Sequence, residues 1–239
     1  MIKLETHCHG YGTSGCATTK NDYLINKYLQ AGYGGIILNN HYSKSCYNEC
    51  LKGNDCKEKV DCFFNYFDAF KNECAKVGIK VFLGTEVRVR DPRCSGTEYS
   101  VIGLKRKTYY ENPLMFELDQ KGLFELAEKD GAFMYQTHPF RQGVLAGDPK
   151  YLHGAESFNG HYHHINNNDL AKKFCEENNL IKLSGTDFHH EDQPITAGIF
   201  APNEINTEED LVAYLFENKF TRIEKEQEYL TALKIYKGI

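Results

Sequence analysis

The chain's sequence predicts an α/β fold of about seven strand and helix units closed into a slightly irregular barrel. Short β-forming runs alternate with helical stretches along the whole chain, with no repeat and no low-complexity linker. A histidine, glutamate or aspartate follows five of those runs in turn, at His7 and His9, His41, Glu86, His138, and Asp187 with His189. Parallel strands with helices between them open their C-terminal ends on one face, where barrel enzymes build their sites. With 239 residues, 41% apolar and 26% charged, the chain can bury one substantial core. A single domain over residues 1–239 is expected, with a polar, cysteine-containing insertion at about 42–60.

The first strand ends in Leu4-Glu5-Thr6-His7-Cys8-His9. Alternate side chains share a face of a strand, so His7 and His9 point the same way and can grip one ion. Thr18 or Thr19 can cap a helix carrying Tyr23, Leu24, Tyr28 and Leu29. Gly32-Tyr33-Gly34-Gly35 leads into a strand rather than out of one, so it is a turn and not a dinucleotide loop. The strand at 35–38 precedes His41, and Cys46, Cys50, Cys56 and Cys62 follow at spacings that match no common zinc knuckle. Nine cysteines, an odd number, and no signal-peptide pattern argue against a disulfide framework. Val60, Phe63, Phe64, Phe67, Phe70, Cys74 and Val77 recur mostly at steps of three and four and read as the core face of a helix.

The strand at 80–83 precedes Glu86, a loop spans 91–96, and another strand covers 99–104. Helices are expected at 123–129, 169–177 and 210–217, the last capped by Thr207 with Asp210 three residues on. Between them lie the strands at 132–136, before His138, at 155–158, and at 181–184, before Asp187 and His189.

The net charge of −5 and the lack of a long basic run give no strong sign of nucleic-acid polymer binding, and the abundant tyrosines have no basic stripe beside them. The opening MIKLE lacks a charged and then apolar leader, and no window approaches the 18 or so apolar residues of a membrane span, so a soluble cytoplasmic protein is expected. There is no Gly-x-Ser-x-Gly elbow for a serine nucleophile. Imidazole and carboxylate donors from five strand ends suit one polynuclear site for Zn, Mn or Fe rather than Ca.

These residues resemble the PHP domain, the polymerase and histidinol phosphatase family of metal-dependent phosphoesterases. His7-Cys8-His9, Asn40-His41, Gly84-Thr85-Glu86, Thr137-His138-Pro139-Phe140-Arg141 and Ser184-Gly185-Thr186-Asp187-Phe188-His189 are similar to its motifs, in its order, over nearly the full length. The resemblance implies a distorted (β/α)7 barrel and two or three divalent ions. A first ion would take His7, His9, Glu86 and Asp187, with Glu86 bridging to a second that also takes His138 and a third near His41 and His189. Asp187, Glu86 and His189 are the expected catalytic groups. Two departures thin the outer sites: Thr13-Ser14-Gly15 stands where many relatives have Ser-Asp-Gly, and Ser100 where many have a histidine.

Arg141 is the expected phosphate ligand, with Arg88 and Arg90 as weaker candidates on the Glu86 strand. His190 could lie behind the site or give a proton, Glu156 and Asn159 could orient histidines, and His153 and the 161–164 histidines read as loop residues. The expected function is hydrolysis of a phosphate ester of a small metabolite or nucleotide through a metal-activated water. The alternatives are an amidohydrolase acting on a carbon-nitrogen bond, and a degenerate module that binds metal or ligand without turnover.

Overall fold

The computed structural model describes residues 1–94 and 96–238. Among these, nine strands form one sheet: β1 (Ile2–Cys8), β2 (Tyr33–Tyr42), β3 (Lys80–Arg88), β4 (Glu98–Ile102), β5 (Phe133–Gln136), β6 (Gly154–Asn159), β7 (Ile181–Gly185), β8 (Ala197–Ala201) and β9 (Arg222–Glu224). Their order is β7-β6-β5-β4-β3-β2-β1-β8-β9. The strands β1, β2 and β3 run parallel, as do β5, β6 and β7, while β4 is antiparallel to both its neighbours. The sheet curls until the segment after β7 meets β1. There Thr6 Oγ1 donates to the Ser184 carbonyl at 2.7 Å and the Asp187 N–H to the His7 carbonyl at 2.8 Å.

β1 is thus shared, its first half pairing antiparallel with β8 and its second half meeting the chain beyond β7. The result is a distorted, nearly closed α/β barrel. It has nine strands where the sequence suggested about seven units, because β8 and β9 form an antiparallel edge that carries no site residue and so left no motif to mark it.

Two apolar layers sandwich the barrel wall. Inside its floor, Leu4, Ile37, Phe82, Ile102 and Phe133 pack with Leu211 and Leu215 of helix α7 (Glu208–Glu217). Outside, helix α3 (Cys56–Ala75) buries Val60, Phe63, Phe64, Phe67, Phe70 and Cys74, each large side chain contributing about 1.5–3 kcal/mol. Helix α7 (Glu208–Glu217) opens on the reciprocal Thr207 and Asp210 cap. Helix α1 (Asn21–Gln30) instead starts at Lys20 without a side-chain cap, because the Thr19 hydroxyl donates to the His189 carbonyl at 3.1 Å. The polar stretch at 42–60 holds the short helix α2 (Lys44–Glu49), whose Tyr47 packs on Tyr42 and Phe116, and the first turn of α3. Among the described residues no helix is long and apolar enough to cross a membrane.

Candidate metal centre

Strand register carries site residues to one end of the barrel. His41 on β2 lies beside Glu86 on β3, which lies beside Ser100 on β4. Inward-facing positions run from apolar at the floor to polar at the mouth: Ile37, Asn39, His41 on β2 and Phe82, Gly84, Glu86 on β3. Gly84 leaves room for the polar middle layer, since a Cβ there would sit 2.3 Å from Asn39 Oδ1. Gly185 does the same one level up, where a Cβ would meet Glu156 Oε1 and the His7 Cβ, each at 2.4 Å. Both motif glycines are therefore space-makers for the site.

All seven residues expected as metal ligands converge and are buried. His7 Nε2 lies 3.0 Å from His9 Nε2, 3.4 Å from Glu86 Oε1 and 3.5 Å from Asp187 Oδ1. His9 Nε2 is 3.3 Å from the same Asp187 oxygen and 3.5 Å from Glu86 Oε2. His138 Nε2 faces Glu86 Oε1 at 3.2 Å. His41 turns Nδ1 to Glu86 Oε2 at 2.8 Å and Nε2 to His189 Nε2 at 3.4 Å. His189 is held by its own Nδ1, 3.2 Å from Asp187 Oδ1.

One residue in this cluster was missed by sequence reading. Glu98 is buried on β4, with one oxygen 3.5 Å from His41 Nδ1 and the other 3.5 Å from His138 Nε2. It stands two residues from Ser100 on the same strand face and brings a carboxylate to the cluster where Ser100 brings none. Ser100 itself lies a layer deeper, its hydroxyl accepting from Asn39 Nδ2 at 2.6 Å. The period of two on β4 was the available signal.

Charge and backbone are both tuned here. Burial disfavours the charged form of every group, yet His7 is held well above the usual histidine range by Asp187, Glu156 and Glu86. Burial opposes ionisation of Asp187 and Glu86 too, but the nearby histidines, with Arg141 beside Asp187, keep both carboxyls well below their ordinary values. Burial and then the charges of His189 and His41 push His9 well down. His138 and Asp187 adopt φ of 33° and 53°, a left-handed backbone that costs a non-glycine residue about 1–3 kcal/mol. The His138 N–H is held there by Glu156 Oε2 at 2.9 Å.

Glu156 also accepts from His7 Nδ1 at 2.9 Å, which keeps a proton on Nδ1 and leaves Nε2 as the atom that would give up its proton to bind an ion in the cluster. Asn159 ties Glu156 Oε2 to Asp187 Oδ2, at 2.8 and 3.2 Å.

The donor set fits divalent transition ions. Buried His9 Nδ1 and His138 Nδ1 have no hydrogen-bond partner, and the possible ligand atoms of His7, His9 and Asp187, of His41, Glu86 and Glu98, and of His9, His41 and His189 each lie within 4.8 Å of one another. Bound there, two such ions would lower the pKa of a water between them and draw charge from phosphoryl oxygens.

A cavity of about 400 Å³ opens over the cluster, lined among others by His41, Glu98, His138, Arg141, Asp187 and His189. Arg141 donates to Asp187 Oδ2 and, at 3.1 Å, to Asn159 Oδ1. Arg88 also lines it, paired to Glu98 at 2.8 Å, whereas Arg90 faces other cavities. His190 and the loop histidines His161, His163 and His164 line the mouth. His153 does not; its Nδ1 accepts the Met134 N–H at 3.0 Å and its Nε2 meets Glu128. The cysteines of the 42–60 region are unpaired and join no potential metal group among the described residues.

No protein-family model matches the chain and no curated protein is similar to it. Solved structures do share its fold. A two-domain protein of Bacteroides vulgatus containing a predicted PHP-like metal-dependent phosphoesterase is 16% identical, with a TM-score of 0.65 over 97% of this chain and 69% of that one. An amidohydrolase of Chromobacterium violaceum with bound sulfate is 12% identical, with a TM-score of 0.56 over 92% of this chain and 98% of that one. The lesion-specific endonuclease Q of Pyrococcus furiosus is 13% identical, with a TM-score of 0.57, over 93% of this chain but only 57% of that one. The barrel is thus the PHP-like one.

One expectation is corrected by these structures. Net charge and the lack of a basic run gave no sign of a nucleic-acid polymer as partner, yet endonuclease Q of this fold holds a 27-mer duplex with an abasic lesion at its active site. Net charge describes the far field, whereas the local field at a barrel mouth is set by a few groups such as Arg88 and Arg141 and by any bound cations. Nucleic acid therefore stays among the substrate classes open to the fold.

Proposed function

We propose that the chain, as one domain, is a metal-dependent hydrolase that cleaves phosphate esters. What carries the reading is a buried cluster of five histidines with Glu86, Glu98 and Asp187 under a cavity whose wall presents the Arg141 and Arg88 guanidiniums. The imidazoles and carboxylates would hold Zn, Mn or Fe. Asp187, set between His7, His9, His189 and Arg141, would hold and orient the attacking water. Glu86 would bridge two ions, and His189 would steady Asp187 or pass a proton at the mouth. Arg141 would take a phosphate oxygen in a forked contact.

Nucleotides, metabolite phosphates and nucleic-acid phosphodiesters are all substrates such a site can grip. Glu98, standing in for the donor absent at Ser100, speaks against a degenerate module without turnover. The nine unpaired cysteines fit a reducing compartment such as the cytoplasm. A carbon-nitrogen hydrolase is the second reading, favoured by the amidohydrolase that shares the fold.

The two readings part on product. The Mn- or Zn-loaded protein is expected to release phosphate or a phosphorylated end from a panel of phosphomonoesters, nucleotides and abasic oligonucleotides. Turnover confined to an amide and cyclic-amide panel would replace the first reading by the second.

A further inference from the structure

We propose that His161, His163 and His190 form a separate site for a zinc ion at the rim of the cavity. It shares no ligand with the central cluster.

The three residues come from two loops, His161 and His163 after β6 and His190 after β7. Their possible ligand atoms nevertheless lie within 4.8 Å of one another, and all three residues line the cavity. The first loop is fastened to the barrel and to the helix Glu226–Lys237. The His161 N–H donates to Asn159 Oδ1 at 3.0 Å, Asn166 Nδ2 donates to the His161 carbonyl at 3.1 Å, and the Tyr229 hydroxyl donates to the His164 carbonyl at 3.0 Å. The His163 ring stacks on both Tyr236 and His190, at centroid distances of 4.0 and 4.6 Å. His190 is anchored by Thr18, whose Oγ1 lies 3.1 Å from His190 Nδ1. A hydroxyl can accept the proton of that nitrogen, the arrangement that leaves Nε2 for a metal. At His161 the His163 N–H donates to Nδ1 at 3.3 Å, a long bond that an ion would readily displace.

The group consists of three imidazoles without a carboxylate. Such a set suits Zn, Ni or Cu better than Mn or Mg. Three protein ligands also match an open zinc site, whose fourth position takes water or a substrate oxygen. His161 is buried and the other two are half-buried, so the ion would sit where protein gives way to cavity. The His161 and His189 rings are 5.0 Å apart, which sets the rim site next to the centre. A cation there would add positive charge where an anionic substrate enters.

The test is zinc per chain, measured by elemental analysis on the full, untagged protein after gel filtration. The wild type is expected to hold one zinc more than folded His163→Ala, with His190→Asn as the second variant should His163→Ala fail to fold. His7→Ala with His9→Ala removes two ligands of the central cluster; that protein is expected to keep the rim ion and to lose it when His163→Ala is added. Equal zinc in the wild type and the rim variants overturns the inference and leaves the centre standing. Loss of all zinc in a folded rim variant also overturns it, because the rim histidines would then belong to the centre. One zinc lost in His163→Ala, with no change in the His7 and His9 variant, supports the rim site and removes the centre.

Discussion

Glu156→Gln changes one oxygen to an amide group at a fully buried position and isolates what holds His7 in its ligating form. In the native protein Oε1 accepts from His7 Nδ1, while Oε2 accepts from the His138 N–H and from Asn159 Nδ2. A glutamine must turn its NH2 one way or the other. Facing His138 and Asn159 it would meet two donors; facing His7 it meets one ring nitrogen that can become an acceptor. The second orientation wins, and it moves the His7 proton to Nε2, the atom aimed at Glu86 and Asp187. Loss of such a carboxylate behind a ligating histidine costs about 10–100-fold in metal affinity, or about 1.4–2.7 kcal/mol. Metal titration by calorimetry, with circular dichroism to show an intact fold, reads the effect. Unchanged affinity for the tightest ion would refute the assignment of His7 Nε2 as a ligand atom oriented by Glu156.

Other perturbations separate the parts of the centre. Glu98→Gln is expected to leave the His7, His9 and Asp187 ion in place and to lose the ion beside His41 and His138, by elemental analysis. Arg141→Ala is expected to raise KM for an anionic substrate about tenfold or more, since a hydrogen bond to a charged group is worth about 1.5–3 kcal/mol; kcat, read separately, reports the loss of its contact to Asp187. The metal-free protein should also show a pH signature from Glu5, which burial raises to about 7 against its hydrogen bonds from Thr186, His7 and Tyr28. A raised carboxyl favours the folded state while protonated, so this contribution is complete below about 4.5 and is lost as pH rises through about 7, at about 1.4 kcal/mol per pH unit or about 3 kcal/mol in all. Denaturant melts of Glu5→Gln should lack that slope.

The convergence of the seven expected residues could be read from the sequence because each follows a β run in a fixed order, and the barrel brings those ends together. Glu98 falls outside that rule, since it lies at the start of an antiparallel strand, where the run that marks the strand follows the residue, and only the period of two with Ser100 pointed to it. The loop before α1 is pinned to the site by the Thr18 and Thr19 N–H groups, which donate to the His189 carbonyl. The same bonds explain why the expected threonine cap of α1 is absent. β8 and β9 carry no site residue and pair antiparallel at the sheet's edge, so no ligand motif marked them. Arg141 was expected at the mouth and lines the cavity there, but its contact to Asp187, 46 residues on, had no signal in the local sequence.

Phosphate release by the Mn-loaded protein beside its Asp187→Asn variant tests the central claim most directly. Release by the wild type from at least one phosphomonoester, nucleotide or oligonucleotide, falling by about a thousandfold or more in the folded variant as when a group acting in the transition state is removed, is the expected result. Equal release by the two proteins, or none from either with metal confirmed bound, would contradict a phosphoesterase centred on Asp187.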